Sequence, residues 1–305
     1  MKSAYLFVHF KGHESTPDEE QIYFAVSRDG YSWKNLNGAK PVIRSSMGER
    51  GLRDPHIMRK HDGSGFYLIA TDLSIYNRGN NREAWISCQR EGSRSIMVWE
   101  SDDLVNWSEQ RMQEIASKDA GCAWAPESVY DDDKGMYIVY WSSKTAADDY
   151  TNERVYYSYT KDFKSFDTPK LYIDREYETI DTTILHVNGK YYRFTKNETD
   201  KSIFMEVSIR PDGEFKEVEA FSLKGVFGFE GPTACKVNGE EKYFLFLDAF
   251  ASGEGYQPYM TEDIDSGRFV KQEGFETPDI FRHGTIMPIT EKEYQALVNK
   301  YGIDE

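Results

Sequence analysis

The sequence predicts an all-β chain folded as a five-bladed β-propeller, its fifth blade closed by N- and C-terminal strands and its tail forming a short helix. Three observations predict this. The composition favours strands, a polar turn pattern recurs five times, and a second series of polar residues recurs five times in phase with it. Aromatic residues make up 15% of the 305 residues, with 21 Tyr and 18 Phe, a loading that suits pleated, half-buried surfaces better than helices.

The turn pattern is a Ser or Thr, then an acidic residue, then a Trp or Phe. It reads Ser27-Arg28-Asp29…Trp33, Ser101-Asp102-Asp103…Trp107 and Thr160-Lys161-Asp162…Phe166, with looser copies at Ser208…Asp212…Phe215 and Thr261-Glu262-Asp263…Phe269. Short polar side chains that bond nearby backbone amides make such segments turns, and the aromatic caps the sheet. The copies lie roughly 50 to 75 residues apart, the spacing of a multi-strand repeat.

The second series is Asp54, Glu127, Asp181, Glu230 and His283, each opening a short apolar strand. Four of these strands lead through a turn into an aromatic strand: Phe66–Ile69, Met136–Val139, Tyr191–Phe194 and Tyr243–Phe246. Two phased series of five fit four-stranded blades around an axis. The first strand of each blade lines that axis, so the five polar residues converge there. Burying five such groups is costly unless they meet a ligand, water or a metal.

The fifth blade opens at His283 but has little chain after it. Its missing strands are Tyr5–Phe10 and Gln21–Val26, so pairing of the termini closes the ring. Thr290 and Glu293 form a T-x-x-E box ahead of an apolar helical stretch. Residues 1–305 read as one domain without a linker, and the polar segment Tyr76–Glu91 reads as a loop over one face.

A net charge of −15 and a pI of about 5.0 disfavour nucleic acid as a partner. Cys88, Cys122 and Cys235 are odd in number and irregular in spacing, which suggests neither disulfides nor zinc. No apolar run approaches a membrane span, and the first ten residues do not read as a signal peptide. The expectation is a soluble, cytoplasmic protein; the oligomeric state is not readable.

Glycoside hydrolysis needs two carboxyl groups flanking the scissile bond, one to protonate the leaving oxygen and one to activate water, and a propeller axis supplies carboxylates from different blades. The motifs Asp54-Pro55, Ile180-Asp181-Thr182-Thr183-Ile184, Glu230-Gly231-Pro232 and Trp124-Ala125-Pro126 occur here in one order and phase. In this, from Tyr5 to about Thr290, the chain resembles family 43 of the glycoside hydrolases. The resemblance implies Asp54 as general base, Asp181 as the group that tunes the acid's pKa, and Glu230 as general acid. It also implies an inverting, exo-acting α-L-arabinofuranosidase or β-xylosidase that takes a plant oligosaccharide and needs no cofactor for its chemistry. The family's Trp-Ala-Pro-Asp ends here in Glu127. His283 matches a family histidine in the central channel, where a structural calcium can lie.

Trp124, Glu127, Phe229 and Arg53 are candidate substrate contacts; packing between blades or structural support are the alternatives. Arg53 and Arg94 are candidate partners of the central carboxylates. Asn197 and Glu198 read as loop or surface residues, and Asp131-Asp132-Asp133 as a solvated turn. Three other functions fit the same fold: an endo-arabinanase, a propeller glycosidase for another sugar such as a fructoside or galactoside, and a binding module without chemistry.

Overall fold

The computed structural model describes residues 1–304. The chain begins with β1 (Lys2–Phe10), β2 (Tyr23–Ser27) and β3 (Trp33–Asn35). Four antiparallel sheets follow in chain order. The first is β4 (Leu52–Arg59), β5 (Phe66–Asp72), β6 (Ser95–Ser101) and β7 (Arg111–Glu114), with α1 (Arg82–Ser87) inside the β5–β6 connection. The second is β8 (Trp124–Asp131), β9 (Met136–Ser143), β10 (Arg154–Thr160) and β11 (Lys170–Ile173). The third is β12 (Thr179–Val187), β13 (Lys190–Asn197), β14 (Ser202–Ser208) and β15 (Lys216–Glu217), and the fourth is β16 (Glu230–Lys236), β17 (Tyr243–Asp248), β18 (Tyr256–Thr261) and β19 (Val270–Lys271). Finally β20 (Arg282–Thr290) pairs with β1, giving a fifth sheet in the order β20-β1-β2-β3.

The innermost strands β4, β8, β12, β16 and β20 touch one another in a ring. The ring is closed by antiparallel pairing of the termini, with Tyr5 opposite Pro288 and Val8 opposite Thr285. Such pairing puts the first and last strands of the chain in one sheet, so the ring cannot open without breaking ladder hydrogen bonds. Second strands are covered on both faces by neighbouring blades, so β5 and β17 are buried at every residue and read as unbroken apolar runs rather than alternating ones.

Each interface between blades holds its own core. Leu6, Val8 and Phe24 meet Leu68 and Trp99; Ile69 and Val98 meet Val139 and Trp141; Tyr140 and Val155 meet Ile184. Phe194 and Met205 meet Leu245 and Leu247, and Phe244 and Phe246 meet Tyr5 and Phe7. Each buried large apolar side chain contributes about 1.5–3 kcal/mol. The helix α2 (Glu291–Tyr301) starts with the expected capping box, Thr290 with Glu293, and buries Leu297 against the first of these cores.

The recurring turn joins the third and fourth strands of each blade. Ser27 Oγ accepts from Gly30 N (2.9 Å) and Asp29 Oδ1 from Tyr31 N and Ser32 N (2.7 and 2.9 Å). Ser101 with Asp103 and Thr160 with Asp162 repeat this arrangement. In the last blade Thr261 and Asp263 accept from Asp263 N and Asp265 N. Asp131 departs from its expected place in a solvated turn: it is 2% exposed and accepts from Tyr159 Oη at 2.7 Å.

Candidate active site

One structural device recurs on every innermost strand: an extra residue that breaks the register. The breaks fall between Arg53 and His56, Trp124 and Glu127, Ile180 and Thr182, and Glu230 and Thr233, and opposite His9 and Phe10 in the closing blade. Asp54, Ala125, Asp181 and Gly231 occupy these bulges in the left-handed region, at φ of 48°, 46°, 54° and 49°. Such conformations cost about 1–3 kcal/mol each for a residue with a side chain and cluster at functional sites. Asp tolerates the region better than most residues. At Gly231 a Cβ would come within 2.8 Å of the His283 ring, so only glycine fits.

The bulges aim the side chains into one cavity of about 470 Å³, lined by Arg53, Asp54, Trp124, Asp181, Glu230 and His283 among others. Bulge amides from one blade hold carboxylates of the blade before. Gly231 N donates to Asp181 Oδ2 (3.2 Å); Ala125 N donates to Thr71 Oγ1 (2.9 Å), whose hydroxyl donates to Asp54 Oδ2 (2.8 Å). The fully buried Tyr256 ties the Gly231 bulge to the bulge of the closing blade. Its hydroxyl donates to Gly231 O (2.7 Å) and accepts from Gly284 N (2.9 Å). Tyr256→Phe strands both buried groups, with an expected cost of about 1–3 kcal/mol in denaturant unfolding.

His283 is the electrostatic centre. Its Nδ1 lies 3.2 Å from Asp54 Oδ1 and 3.6 Å from Asp181 Oδ1. Burial opposes its charge, but Asp181 and Asp54 outweigh burial and lift its pKa to about 10. The imidazole is therefore cationic at neutral pH. Burial pushes Asp54 up, but His283, Arg53 and Thr71 more than offset it, so Asp54 is held ionised below the usual carboxylate range. Asp181 is raised to about 6, by burial first and by Glu230 and Asp54 next, against His283 and Lys196. Glu230 is opposed by burial but held below its usual value by Lys196 (Nζ to Oε2, 2.9 Å), Arg282 and His283. Within the Asp181–Glu230 pair the proton thus rests on Asp181 and leaves as pH rises past about 6.

The family resemblance implied a calcium beside His283. A hard dication takes six to eight oxygen donors. Beside His283, Asp54 and Asp181 offer carboxylate oxygens, and among the described residues no group of three or more His, Cys, Asp or Glu is placed to hold a metal ion.

The other sequence candidates divide. Arg53 lines the cavity and is held by Glu14 (2.7 Å) and Glu20 (3.0 Å), with its guanidinium over the rings of Phe10 and Trp85. Trp124 lines the cavity, and its indole Nε1 is buried without a partner among the described residues. Glu127 lies outside the cavity wall: two residues beyond the bulge, it faces His56 Nδ1 (3.5 Å) and the Tyr140 hydroxyl (3.4 Å). Phe229 also departs from the site, packing edge-on against Tyr259 between blades. Arg94 pairs with Glu114 near the surface instead of a central carboxylate. Glu198, expected on a surface loop, lines the cavity and pairs with Lys196 (2.6 Å).

Sequence reasoning missed Trp85, Glu20, Lys144, Glu153 and Lys196. Trp85 stands on α1 within the segment 76–91 and lines the cavity. The buried Glu20 pins that segment by accepting from Ser74 Oγ, Ile75 N and Tyr76 N. A lone Trp in an otherwise polar loop was the available signal for Trp85.

A family model described as a probable glycosyl hydrolase domain, glycosyl hydrolase 43-related, matches residues 2–295. The chain belongs to this glycosyl hydrolase family. An α-L-arabinofuranosidase of Bifidobacterium longum subsp. longum is 31% identical over 304 residues, a match covering 85% of this chain and 28% of that protein. The family 43-related chain thus spans only about a quarter of the length of that relative. Among solved structures, an endo-1,4-β-xylanase from Bacteroides thetaiotaomicron superposes with a TM-score of 0.61 at 17% identity, covering 93% of both chains. The catalytic domain of a GH62 α-L-arabinofuranosidase from Coprinopsis cinerea superposes with a TM-score of 0.56 at 12% identity, covering 83% of this chain and 77% of that one. At such identities these two share the propeller fold with this family member.

Proposed function

We propose that this chain is a single catalytic domain that hydrolyses glycosides, releasing terminal arabinofuranosyl or xylosyl units from plant-type oligosaccharides with inversion at the anomeric carbon. The observation that carries the reading is a carboxylate held ionised, Asp54, in the same cavity as a carboxyl pair that holds a proton up to about pH 6, Asp181 and Glu230. Asp54 deprotonates the attacking water. Glu230 protonates the leaving oxygen, drawing on the proton shared with Asp181. Two carboxyl groups kept in opposite protonation states by their surroundings are what general acid–base catalysis requires. The arabinofuranosidase relative supports the pentose. The segment 76–91 with Trp85, which walls one side of the cavity, supports attack at a chain end.

The pH dependence follows from the signs. Activity needs Asp54 ionised, which holds down to pH values below its ordinary range, and needs one proton on the Asp181–Glu230 pair, which leaves near pH 6. The kcat/KM profile is therefore expected to be flat in mild acid and to fall as pH rises past about 6, the fall belonging to the pair rather than to either residue. Lys196→Met removes a cation that favours the ionised pair, so its alkaline limb should shift to higher pH. Following fresh product by proton NMR tests the stereochemistry. Initial release of the anomer opposite to that of the substrate supports the reading, and initial retention removes it.

A further inference from the structure

Four carboxyl groups on the cavity wall are not used by the mechanism above: Glu14, Glu178 and Glu198, paired with Arg53, Lys144 and Lys196, and Glu153. Glu153 immediately precedes β10, and its carbonyl accepts from Thr179 N (2.9 Å) at the start of β12, which fixes it between two blades. The residue is 3% exposed, lines the cavity, and its Oε1 has no partner among the described residues. The charged groups around it are already matched: Lys144 pairs with Glu178, and Lys196 with Glu198 and Glu230. Among the described residues Glu153 has no ion-pair partner. A buried polar atom without a partner is costly and rare, and where it borders a cavity a ligand can supply what the protein does not.

We propose that Glu153 is a specificity-determining residue of this pocket, offering a neutral carboxyl to hydrogen-bond a hydroxyl group of a bound uncharged sugar. For the identity of the ligand the inference rests on the glycosidase reading above. The protonation state agrees with the geometry. Burial first, then Glu198, Glu178 and Asp181, push the carboxyl up to about 8 against the pull of Lys144. The nearby Cys122 thiol is pushed up by burial and by Glu153, so it adds no charge at neutral pH. At pH 7 Glu153 therefore keeps its proton, with one O–H to donate and a carbonyl oxygen to accept, matching the donor-and-acceptor character of a sugar hydroxyl. A uronic acid in the same place would face Glu198, Glu178 and Asp181, the carboxyls that act on Glu153, which disfavours acidic sugars.

Two variants test this: Glu153→Gln, which keeps a neutral donor and acceptor, and Glu153→Leu, which keeps neither. Hydrolysis of 4-nitrophenyl α-L-arabinofuranoside and calorimetric binding of L-arabinose would be measured from about pH 5 to 9. Glu153→Leu is expected to raise KM and weaken L-arabinose binding about tenfold. Glu153→Gln should stay within about twofold of wild type at pH 7 and lose the KM rise that wild type shows above pH 8 as Glu153 ionises. A merely structural role would not produce that change in the pH profile. KM and L-arabinose affinity unchanged in Glu153→Leu, or an alkaline KM rise retained in Glu153→Gln, overturns the inference and leaves the glycosidase reading intact. Glu153-dependent L-arabinose binding by a wild-type protein that hydrolyses nothing removes the glycosidase reading and leaves this one. Neither binding nor turnover by wild type overturns both.

Discussion

Asp54→Asn is expected to lower kcat by about two to four orders of magnitude while the propeller stays folded. The substitution is chosen for the backbone. Residue 54 sits at φ 48°, where Asn is among the few side chains that settle without marked strain, whereas Ala or Leu would add a backbone penalty and blur the result. The Thr71 hydroxyl can still donate to the amide oxygen. What is lost is the negative charge that accepts a proton from water. The neutral amide leaves His283 with Asp181 as its remaining carboxylate neighbour, so some loss of stability accompanies the kinetic effect. Kinetics together with thermal unfolding separate the two. More than a tenth of wild-type activity in a folded Asp54→Asn protein removes Asp54 from the role of base.

The largest effect on stability is expected from His283→Leu. The imidazolium stands between two buried carboxylates, and removing one partner of a buried ion pair leaves charge without compensation, at a cost of about 3–5 kcal/mol near pH 7. The pH dependence gives the mechanism. His283 is raised from 6.5 to about 10, so its contribution is fully present below pH 6.5 and fades as pH rises through 10. Asp54 is lowered from 3.8, so its share is present above that value and fades as pH falls through its depressed pKa. The gap between wild type and His283→Leu should therefore be widest from about pH 4 to 6.5 and narrow on both sides. Urea unfolding across that range checks it. A gap that does not vary with pH would mean that lost packing, not lost charge, sets the cost. Raised carboxylate pKa values in the variant should also cut activity.

Much of the fold was legible because its repeat is written in local chemistry. A Ser or Thr followed by Asp bonds the next few amides whatever surrounds it, so the turn between third and fourth strands recurs visibly at residues 27, 101, 160 and 261. The site was legible in outline for a different reason. Asp54, Asp181 and His283 each fill the extra position of an inner strand, and all three reach the cavity. Glu127 and Glu230 were grouped with them because they are acidic, yet they flank their bulges instead of occupying them. The better marker was proline. Asp54-Pro55, Ala125-Pro126 and Gly231-Pro232 each place a residue without an amide proton inside the bulge, where no ladder bond is lost. Aligned on those prolines, Glu127 falls two residues beyond the bulge, which is why it ends beside His56 and Tyr140.

The rest was not legible because it depends on where second strands and loops end in space. Lys196 lies opposite Ile180 in the β12–β13 pairing, next to the Asp181 bulge, and only that register brings it to Glu230. Glu153 sits in an unremarkable Thr-Asn-Glu-Arg segment, and its burial follows from the packing of two blades. Phe229 misled for the opposite reason, because closeness in sequence to Glu230 says nothing about which face of the sheet a side chain takes.

The measurement that bears most directly on the central claim compares wild type with Glu230→Gln on two substrates, 4-nitrophenyl α-L-arabinofuranoside and an arabinose disaccharide. Nitrophenolate leaves readily without protonation, whereas a sugar alkoxide needs the acid. Wild type should hydrolyse both, and the variant should lose about 10²- to 10⁴-fold on the disaccharide but far less on the nitrophenyl glycoside. Equal losses on the two substrates would contradict Glu230 as proton donor, and no hydrolysis of either by wild type would contradict the glycosidase account itself.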